Sequence, residues 1–513
     1  MWWRDGLLYQ CYPRSFADSN GDGVGDLRGI AQRLDHLAWL GVDGLWLNPI
    51  NPSPNVDWGF DVSDYCDVDP ALGTLADLDA LVAAASARDI RVLLDLVPGH
   101  TSTAHPWFTE HPEYYVRAPG RNGGPPNNWK SVFGGPAWKE DPERGDWYMH
   151  NFYDEQADLD WWNEELRDNF DAILGFWTDR GIAGFRIDVA HGIVKDRELR
   201  DNPPAGPGDS PVEQWLGQRT VYNFNRPEVH DIYRRWRALM QARGGEVPIL
   251  LGETWVNDIP ALQTFYGTGD DELQLAFNFP FVEGDLDPAG LSAVVAEVEA
   301  LLPGDAWPVY FGGNHDLKRF PDRWAHGDLA LTRVALMMLL TLRGTPILYY
   351  GDELGMRDTA VPPEREVDPV ALLRDPERPG RDGARTPMPW SAADGAGFTA
   401  AGVEPWLPFG DLSLNVEAQR ADPASTLCLV RDLVVLRRSR ADLTSGSYSQ
   451  IEAPAGAWAW RRGDGTAVAL NFSGAPADIA LGGRALIGTD RARDGAAFDG
   501  TLAPREGVVI ELP

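Results

Sequence analysis

IAGFRIDVA, residues 182–190, is a short run of branched and aromatic residues that ends on a charged pair, Arg186 and Asp188. A run this short, largely apolar on both faces, reads as a buried strand of a parallel sheet. Seven more runs share its form. They are GLLYQCYP (6–13), VDGLWLNP (42–49), IRVLLDLVP (90–98), VPILLGETW (247–255), ELQLAFNFP (272–280), WPVYFGGNHD (307–316) and TPILYYGDE (345–353). Between them lie amphipathic helices. Ile30, Leu34, Leu37 and Trp39–Leu40 keep a helical period, as do Leu75, Leu78, Leu81–Val82 and Ala85. Phe170, Ile173–Leu174 and Trp177 repeat it, and so do Val229, Ile232–Tyr233, Trp236 and Leu239–Met240. Eight strands with helices after most of them predict an α/β fold, a (β/α)₈ TIM barrel.

Two stretches break the alternation. Residues 101–160 are rich in Pro, Gly, Asn and Trp and read as a loop-rich domain inserted after the third strand. A second irregular stretch, about 357–417, follows the eighth. The barrel is therefore expected over 1–100 and 161–420. From 421 one more helix gives way to short alternating runs such as AWAWRRGDGTAVALNF, which predict a C-terminal antiparallel β-sandwich domain over 421–513.

The chain has 513 residues and a net charge of −32, which repels nucleic acid and anionic membrane and so excludes both as default partners. The longest apolar run, Val334 to Leu342, is too short to span a bilayer. Three cysteines, Cys11, Cys66 and Cys428, show no metal-like spacing, and MWWRDGLLYQ is no secretory signal; a cytoplasmic protein with reduced thiols is expected. The 21 tryptophans serve either core packing or platforms for a sugar ring. Oligomeric state has no signal in the sequence.

In such barrels the chemistry gathers at the C-terminal ends of the strands. Strand three ends in DLVPGH, with Asp95 and His100. Strand four gives Arg186 and Asp188, strand five Glu253 and Trp255 in GETW, and strand seven His315 and Asp316 in GGNHD. Alone, any of these is an ordinary helix cap, turn former or core histidine. Four carboxylates, two histidines and an arginine at one barrel mouth are a site.

These blocks resemble the α-amylase superfamily, glycoside hydrolase family 13, and within it the α-glucosidase and oligo-1,6-glucosidase branch. GFRIDV, GETW and NHD occur in the family's order, with about 60 residues between successive carboxylates. The resemblance runs from GLLYQCYPRSFADSNGDGVGDLRGI to RTPMPW. It implies that Asp188 is the nucleophile, Glu253 the acid/base and Asp316 the carboxylate gripping the 2- and 3-hydroxyls of the −1 sugar. Arg186 then keeps Asp188 ionised, and His100 and His315 bond the same sugar. Asp57 matches an Asp that binds the 4- and 6-hydroxyls. Phe60 stands where the branch has a stacking Tyr. Arg385 matches an Arg that pairs with Asp57 and closes the pocket. Phe152 matches a pocket aromatic and Trp255 one near the +1 subsite.

The function so implied is a retaining, exo-acting α-glucosidase on short α-glucosides such as maltose and maltooligosaccharides, with transglycosylation as a side activity and no organic cofactor. Oligo-1,6-glucosidase, trehalose synthase and sucrose isomerase share the machinery. Non-catalytic transporter heavy chains share the fold, but here all three carboxylates are present.

Besides Phe60, two positions depart from the pattern, and a third bears on linkage. Gly99 replaces an Asn that in amylases helps bind a calcium between the barrel and the inserted domain, which argues against that ion. Asp160 replaces an Asn at the end of the QADLD block. Val189, after the nucleophile, tracks α-1,6 preference in one branch of the family and weighs little here.

DSNGDGVGDLRG, residues 18–29, carries acidic or amide side chains at alternate positions. An EF-hand needs a preceding helix and a Glu at position twelve; here a strand precedes and position twelve is Gly29. The loop is expected to be a structural staple holding Ca²⁺, with Mg²⁺ as the alternative. Its ligands would be Asp18, Asn20, Asp22, the Val24 carbonyl and Asp26.

Overall fold

The computed structural model describes residues 1–256, 258–302, 306–372 and 380–513. The irregular stretch expected over 357–417 includes residues 373–379, which lie outside the described residues.

The eight apolar runs form one parallel sheet. Its strands are β1 Leu8–Cys11, β2 Gly44–Leu47, β3 Arg91–Leu96, β4 Gly184–Ile187, β5 Ile249–Gly252, β6 Leu275–Ala276, β7 Val309–Phe311 and β8 Thr345–Tyr349. Neighbours pair in the order β6-β5-β4-β3-β2-β1-β8-β7, so the sheet curls into a barrel whose ladder is interrupted between β6 and β7. Side chains on both strand faces are buried: Leu45, Trp46, Leu93, Phe185, Ile187, Leu250 and Leu251 are all inaccessible to water. Each such side chain contributes about 1.5–3 kcal/mol relative to its exposed state. A Cβ on Gly184 would lie 2.5 Å from the Ile249 carbonyl oxygen, so only glycine lets β4 and β5 approach this closely. Register sets the site. Asp95 on β3 lies level with Arg186 on β4, which lies level with Leu251 on β5.

The helical periods fold as read, with caps that explain their starts. Leu75–Ser86 begins with a capping box in which Thr74 and Asp77 satisfy each other's backbone N–H. It buries Leu78, Leu81 and Ala85. Glu164–Asp179 starts at Asn163, which accepts from two free N–H groups, and buries Phe170, Ile173, Leu174 and Trp177. The period from Ile30 to Leu40 belongs to two helices, Leu27–Gln32 and Leu34–Leu40, divided at Arg33.

The segment after β3 has its own small framework. His100–Ser102 pairs antiparallel with Gln156–Asp158. Arg117–Ala118, Trp138–Asp141 and Asp146–Met149 form a three-stranded sheet over a separate core of Val116, Trp129, Ala137, Trp138 and Met149. Its return strand delivers Gln156 and Asp158 to the barrel mouth.

The run Val334 to Leu342 lies, up to Thr341, in the buried helix Leu329–Thr341, which packs against Thr426–Ser439. Two buried arginines close the C-terminal end of the first helix. Arg437 donates to the carbonyls of Leu340, Leu342 and Gly344, and Arg462 donates to that of Thr341. They satisfy carbonyls that the helix cannot bond itself, at the negative end of its dipole. Beyond lie a six-stranded antiparallel sheet and a two-stranded ribbon, Ala477–Asp478 with Thr501–Leu502. No helix among the described residues is long and apolar enough to cross a membrane.

Candidate active site

Arg186 is fully buried at the barrel mouth, and three carboxylates surround it. Nη1 donates to Asp95 Oδ1 at 2.6 Å and to Asp188 Oδ1 at 2.9 Å, and Nη2 lies 2.5 Å from Glu253 Oε1. One cation cannot neutralise three buried anions. Asp188 and Glu253 accordingly both titrate above the ordinary carboxylate range. Burial is the main cause for each, Arg186 works against it, and the charges of neighbouring carboxylates add to it. The two share one cation and so titrate as an interacting pair rather than singly. Asp95 is pushed up to about 7, again by burial against the pull of Arg186.

Asp316 is the contrasting carboxylate. Burial works to raise it, but His315, Arg381 and Arg385 outweigh that and hold it well below the ordinary range. Arg381 Nη1 reaches its Oδ1 at 2.9 Å, Arg385 Nη2 reaches the same oxygen at 3.0 Å, and His315 Nε2 lies 3.0 Å from Oδ2. Gln10 fixes the histidine: its Nε2 donates to His315 Nδ1 at 2.8 Å and to Asn48 Oδ1 at 2.8 Å. That network places the ring proton on Nε2, facing Asp316. Burial pulls the ring down to about 4, so it stays neutral.

The expected pairing of Arg385 with Asp57 does not form. Arg381 Nη2 donates to Asp57 Oδ1 at 2.8 Å, whereas Arg385 spends Nε on the His315 carbonyl and Nη2 on Asp316. The physical reason is local. The short 3-10 turn Asp382–Ala384 separates the two arginines, so Arg381 alone spans Asp57 and Asp316. Arg385, 1% exposed, lies beneath them over the Tyr12 ring.

Phe60 stacks on His315 with ring centroids 5.1 Å apart and planes 1° from parallel. His100 Nε2 is 3.0 Å from the Phe60 carbonyl, and burial lowers its pKa. Phe152 packs on the His100 ring at 5.2 Å. Gln156, which no motif marks out, bridges Asp57 and His100 at 3.3 and 3.1 Å. Asp57 is itself raised by burial, against the pull of Arg381 and Arg385. Trp255, two residues beyond Glu253, stacks on Phe279 at 4.5 Å and donates its indole N–H to Glu283.

Three supports other than Gln156 went unread: Gln10, Asn48 and Arg381. Gln10 carried a signal, as an amide inside an otherwise apolar strand. Arg381 did too, four residues before Arg385 in RDGARTPMPW.

Val189 follows Asp188 with φ at 44°, a left-handed conformation costly for a β-branched residue. There its N–H donates to Glu253 Oε2 at 2.9 Å.

The segment after β3 is tied to the barrel by a buried lysine. The Lys195 ammonium pairs with Asp158 and donates to the carbonyls of Gly192 at 2.9 Å and Ile193 at 3.4 Å. Asp158 also accepts from Asn151, N–H at 2.5 Å and Nδ2 at 3.1 Å.

The loop 18–29 lies apart from this cluster and closes on itself. Asp18 Oδ1 accepts from the N–H groups of Asn20 and Gly21, and Oδ2 from Gly23 N–H and the Thr399 hydroxyl. Asn20 Oδ1 accepts from Asp22 N–H and Asp22 Oδ1 from Val24 N–H. Asp26 caps the following helix through Gly29 and holds Ser19 with its other oxygen. Asp18, Asn20, Asp22 and Asp26 are all hard oxygen donors that suit such a cation in chemistry, and both oxygens of each of the three aspartates already accept hydrogen bonds. Among the described residues no three His, Cys, Asp or Glu side chains gather as metal ligands. Strand-like bonds carry the loop onto the segment after β8: Asp18 N–H to Phe398 at 2.8 Å and Trp406 N–H to Gly23 at 2.9 Å.

A family model described as the α-amylase catalytic domain matches residues 10–446. The chain is 39% identical over 475 residues to a protein of Rhizobium meliloti (strain 1021) named probable α-glucosidase, covering 88% of this chain and 85% of that one. It is 35% identical over 500 residues to an oligo-1,6-glucosidase of Parageobacillus thermoglucosidasius, covering 88% and 86%. A crystal structure titled as that of an α-glucosyl transfer enzyme, XgtA, superposes with a TM-score of 0.91 at 36% identity, covering 100% of this chain and 99% of that one.

Proposed function

The chain belongs to the α-amylase catalytic-domain family of glycoside hydrolases, in its α-glucosidase branch, and from that premise we propose that it is a retaining, exo-acting α-glucosidase. The observation that carries the reading is the buried Arg186 holding Asp188 and Glu253 on adjacent nitrogens of one guanidinium. A retaining glycosidase needs two carboxyl groups about 5–5.5 Å apart, one ionised and one protonated. Burial and mutual repulsion raise both members while one shared arginine favours the anion, an arrangement suited to a singly protonated pair that supplies both forms.

In the first step the Asp188 carboxylate attacks the anomeric carbon while Glu253 gives its proton to the departing glycosidic oxygen. The bond to the aglycone breaks and a glucosyl ester of Asp188 forms. In the second step Glu253, now ionised, takes a proton from water, whose oxygen attacks the same carbon and frees Asp188. Asp316, ionised throughout, bonds the 2- and 3-hydroxyls, which strengthens as the ring flattens. His100, His315 and the stacking Phe60 complete the −1 pocket, with Phe152 and Trp255 towards the aglycone. Arg381 joins Asp57 to Asp316 and so walls off the far end, which favours a terminal glucose over an internal one. Where a second sugar replaces water in the second step, the product is a transferred glucoside. The likeness to a structure titled as a glucosyl transfer enzyme supports that side activity.

A cation in loop 18–26, Ca²⁺ before Mg²⁺, belongs to the same proposal; it would brace the loop and take no part in the reaction. Cytoplasmic placement is proposed on three free thiols, two of them buried.

The test is hydrolysis of p-nitrophenyl α-glucoside by Asp188→Asn and Glu253→Gln. Both are expected to fold and to lose activity by at least about a thousandfold. Full activity in either sinks the assignment. Products from maltose, isomaltose, kojibiose, nigerose, sucrose and trehalose then fix the linkage, and trehalose formed from maltose would move the function to an isomerase.

A further inference from the structure

Arg381 meets three carboxylates, and two of them, Asp57 and Asp316, belong to the pocket just described. The third does not. Asp368 lies outside the −1 pocket and is fully buried. It takes Arg381 in a two-pronged grip, Nε to Oδ2 at 3.0 Å and Nη2 to Oδ1 at 2.7 Å. Its Oδ2 also accepts the Arg381 backbone N–H at 2.5 Å. A fork gripped in this way has one plane and one direction. That plane sends Nη1 to Asp316 and Nη2 to Asp57.

Asp368 is held in turn. Its own N–H and that of Val367 donate to Asp382 Oδ2 at 3.0 and 2.7 Å. The Val367 carbonyl accepts the Trp58 indole N–H at 3.0 Å, which returns the strut to the loop that carries Asp57. Arg381 outweighs the burial of Asp368 and holds it down at about 2, so the carboxylate stays charged across the working pH range.

We propose that Asp368 is a positioning residue for substrate specificity: its fork grip on Arg381 fixes the Asp57–Arg381–Asp316 wall against the non-reducing end of the −1 glucose. This deepens the exo-glucosidase reading and rests on it. An aspartate can accept all three N–H groups of Arg381; an asparagine of the same shape offers one oxygen and turns an NH₂ towards the guanidinium. The wall then loses its fixed direction while Asp188, Glu253 and Arg186 keep their contacts.

The experiment compares kcat/KM for p-nitrophenyl α-glucoside and its 4-deoxy analogue in the wild-type chain and in Asp368→Asn. Wild type is expected to favour the parent by about tenfold to a hundredfold, because the analogue lacks the hydroxyl that the buried, charged Asp57 would bond. In Asp368→Asn the preference is expected to shrink to within about threefold, with the loss mainly in KM for the parent glucoside. A variant that keeps the wild-type preference within about twofold and loses only kcat would show a merely structural role and overturn the proposal. A wild type indifferent to the 4-hydroxyl would instead overturn the pocket reading beneath it. If Asp368→Asn melts too low for kinetics, Asp368→Glu, which keeps the charge but moves the fork by one methylene, is expected to lower the preference at least about threefold; an unchanged preference there overturns the proposal as well.

Discussion

Lys195 holds its ammonium against the Asp158 carboxylate in a place closed to water, and the pair joins the segment after β3 to the loop after β4. Asp158 belongs to the return strand of that segment, and the two carbonyls that complete the lysine's shell, of Gly192 and Ile193, belong to the barrel. A monovalent side chain thus ties the junction where Gly99 had argued against a calcium ion. Removing one partner of such a pair leaves a bare buried charge, at a cost of about 3–5 kcal/mol. Lys195→Met is therefore expected to lower the melting temperature by several degrees. Adding Asp158→Asn is expected to recover part of the loss, and scanning calorimetry of the single and double variants checks this. A melting temperature unchanged in Lys195→Met would refute the tie.

The pH profile of kcat/KM should be a bell set by the Asp188–Glu253 pair. Both members lie above the ordinary range through burial, so the pair loses its last proton only as pH rises through those raised values, and activity falls there. On the acid side activity falls as the pair takes a second proton. Asp316 contributes nothing to the acid limb, because its lowered pKa keeps it ionised. The charge of Asp95 helps to raise Asp188, and Asp95 also shares the Arg186 charge. Asp95→Asn removes both effects, leaving more of Arg186 to stabilise the ionised pair. Its basic limb is expected to move to lower pH, and a shift to higher pH would contradict the arrangement.

How much of this was legible in the sequence follows from what each feature depends on. The strands and the carboxylates at their ends were readable, because an apolar run and its terminating polar residue lie within ten positions of each other. Arg186 beside Asp188 was readable for the same reason. The wall of Asp57, Arg381 and Asp316 was not: its members are separated by 259 and 65 positions, and the choice between Arg381 and Arg385 turns on one 3-10 turn. Gln10 shows the intermediate case. Its oddity in an apolar strand was visible, but its partner His315 was fixed only once β1 and β7 were placed at one mouth.

The loop 18–26 should matter to heat stability more than to turnover. Asp18 accepts four hydrogen bonds and joins the loop to Thr399, beyond β8. Each such bond is worth about 0.5–1.5 kcal/mol, less where solvent reaches it. Asp18→Ala is expected to lower the melting temperature while kcat/KM at 25 °C stays within about twofold. EDTA is expected to lower the melting temperature of the wild type if a cation completes the loop, and to do so less in Asp18→Ala. A chelator that stopped catalysis at once without changing the melting temperature would contradict the structural role.

Val189 places a donor on the acid/base at the expense of its own backbone. Its φ of 44° costs a β-branched residue about 1–3 kcal/mol, and the conformation aims its N–H at Glu253 Oε2. Glycine adopts that φ without strain and keeps the N–H, so Val189→Gly is expected to retain kcat/KM within about tenfold. Proline can neither reach a positive φ nor donate, so Val189→Pro is expected to lose at least about a hundredfold. It also removes a contact that favours the ionised form of Glu253, so any residual activity should persist to higher pH. Equal losses in the two variants would show that the side chain of Val189 matters there and its N–H does not.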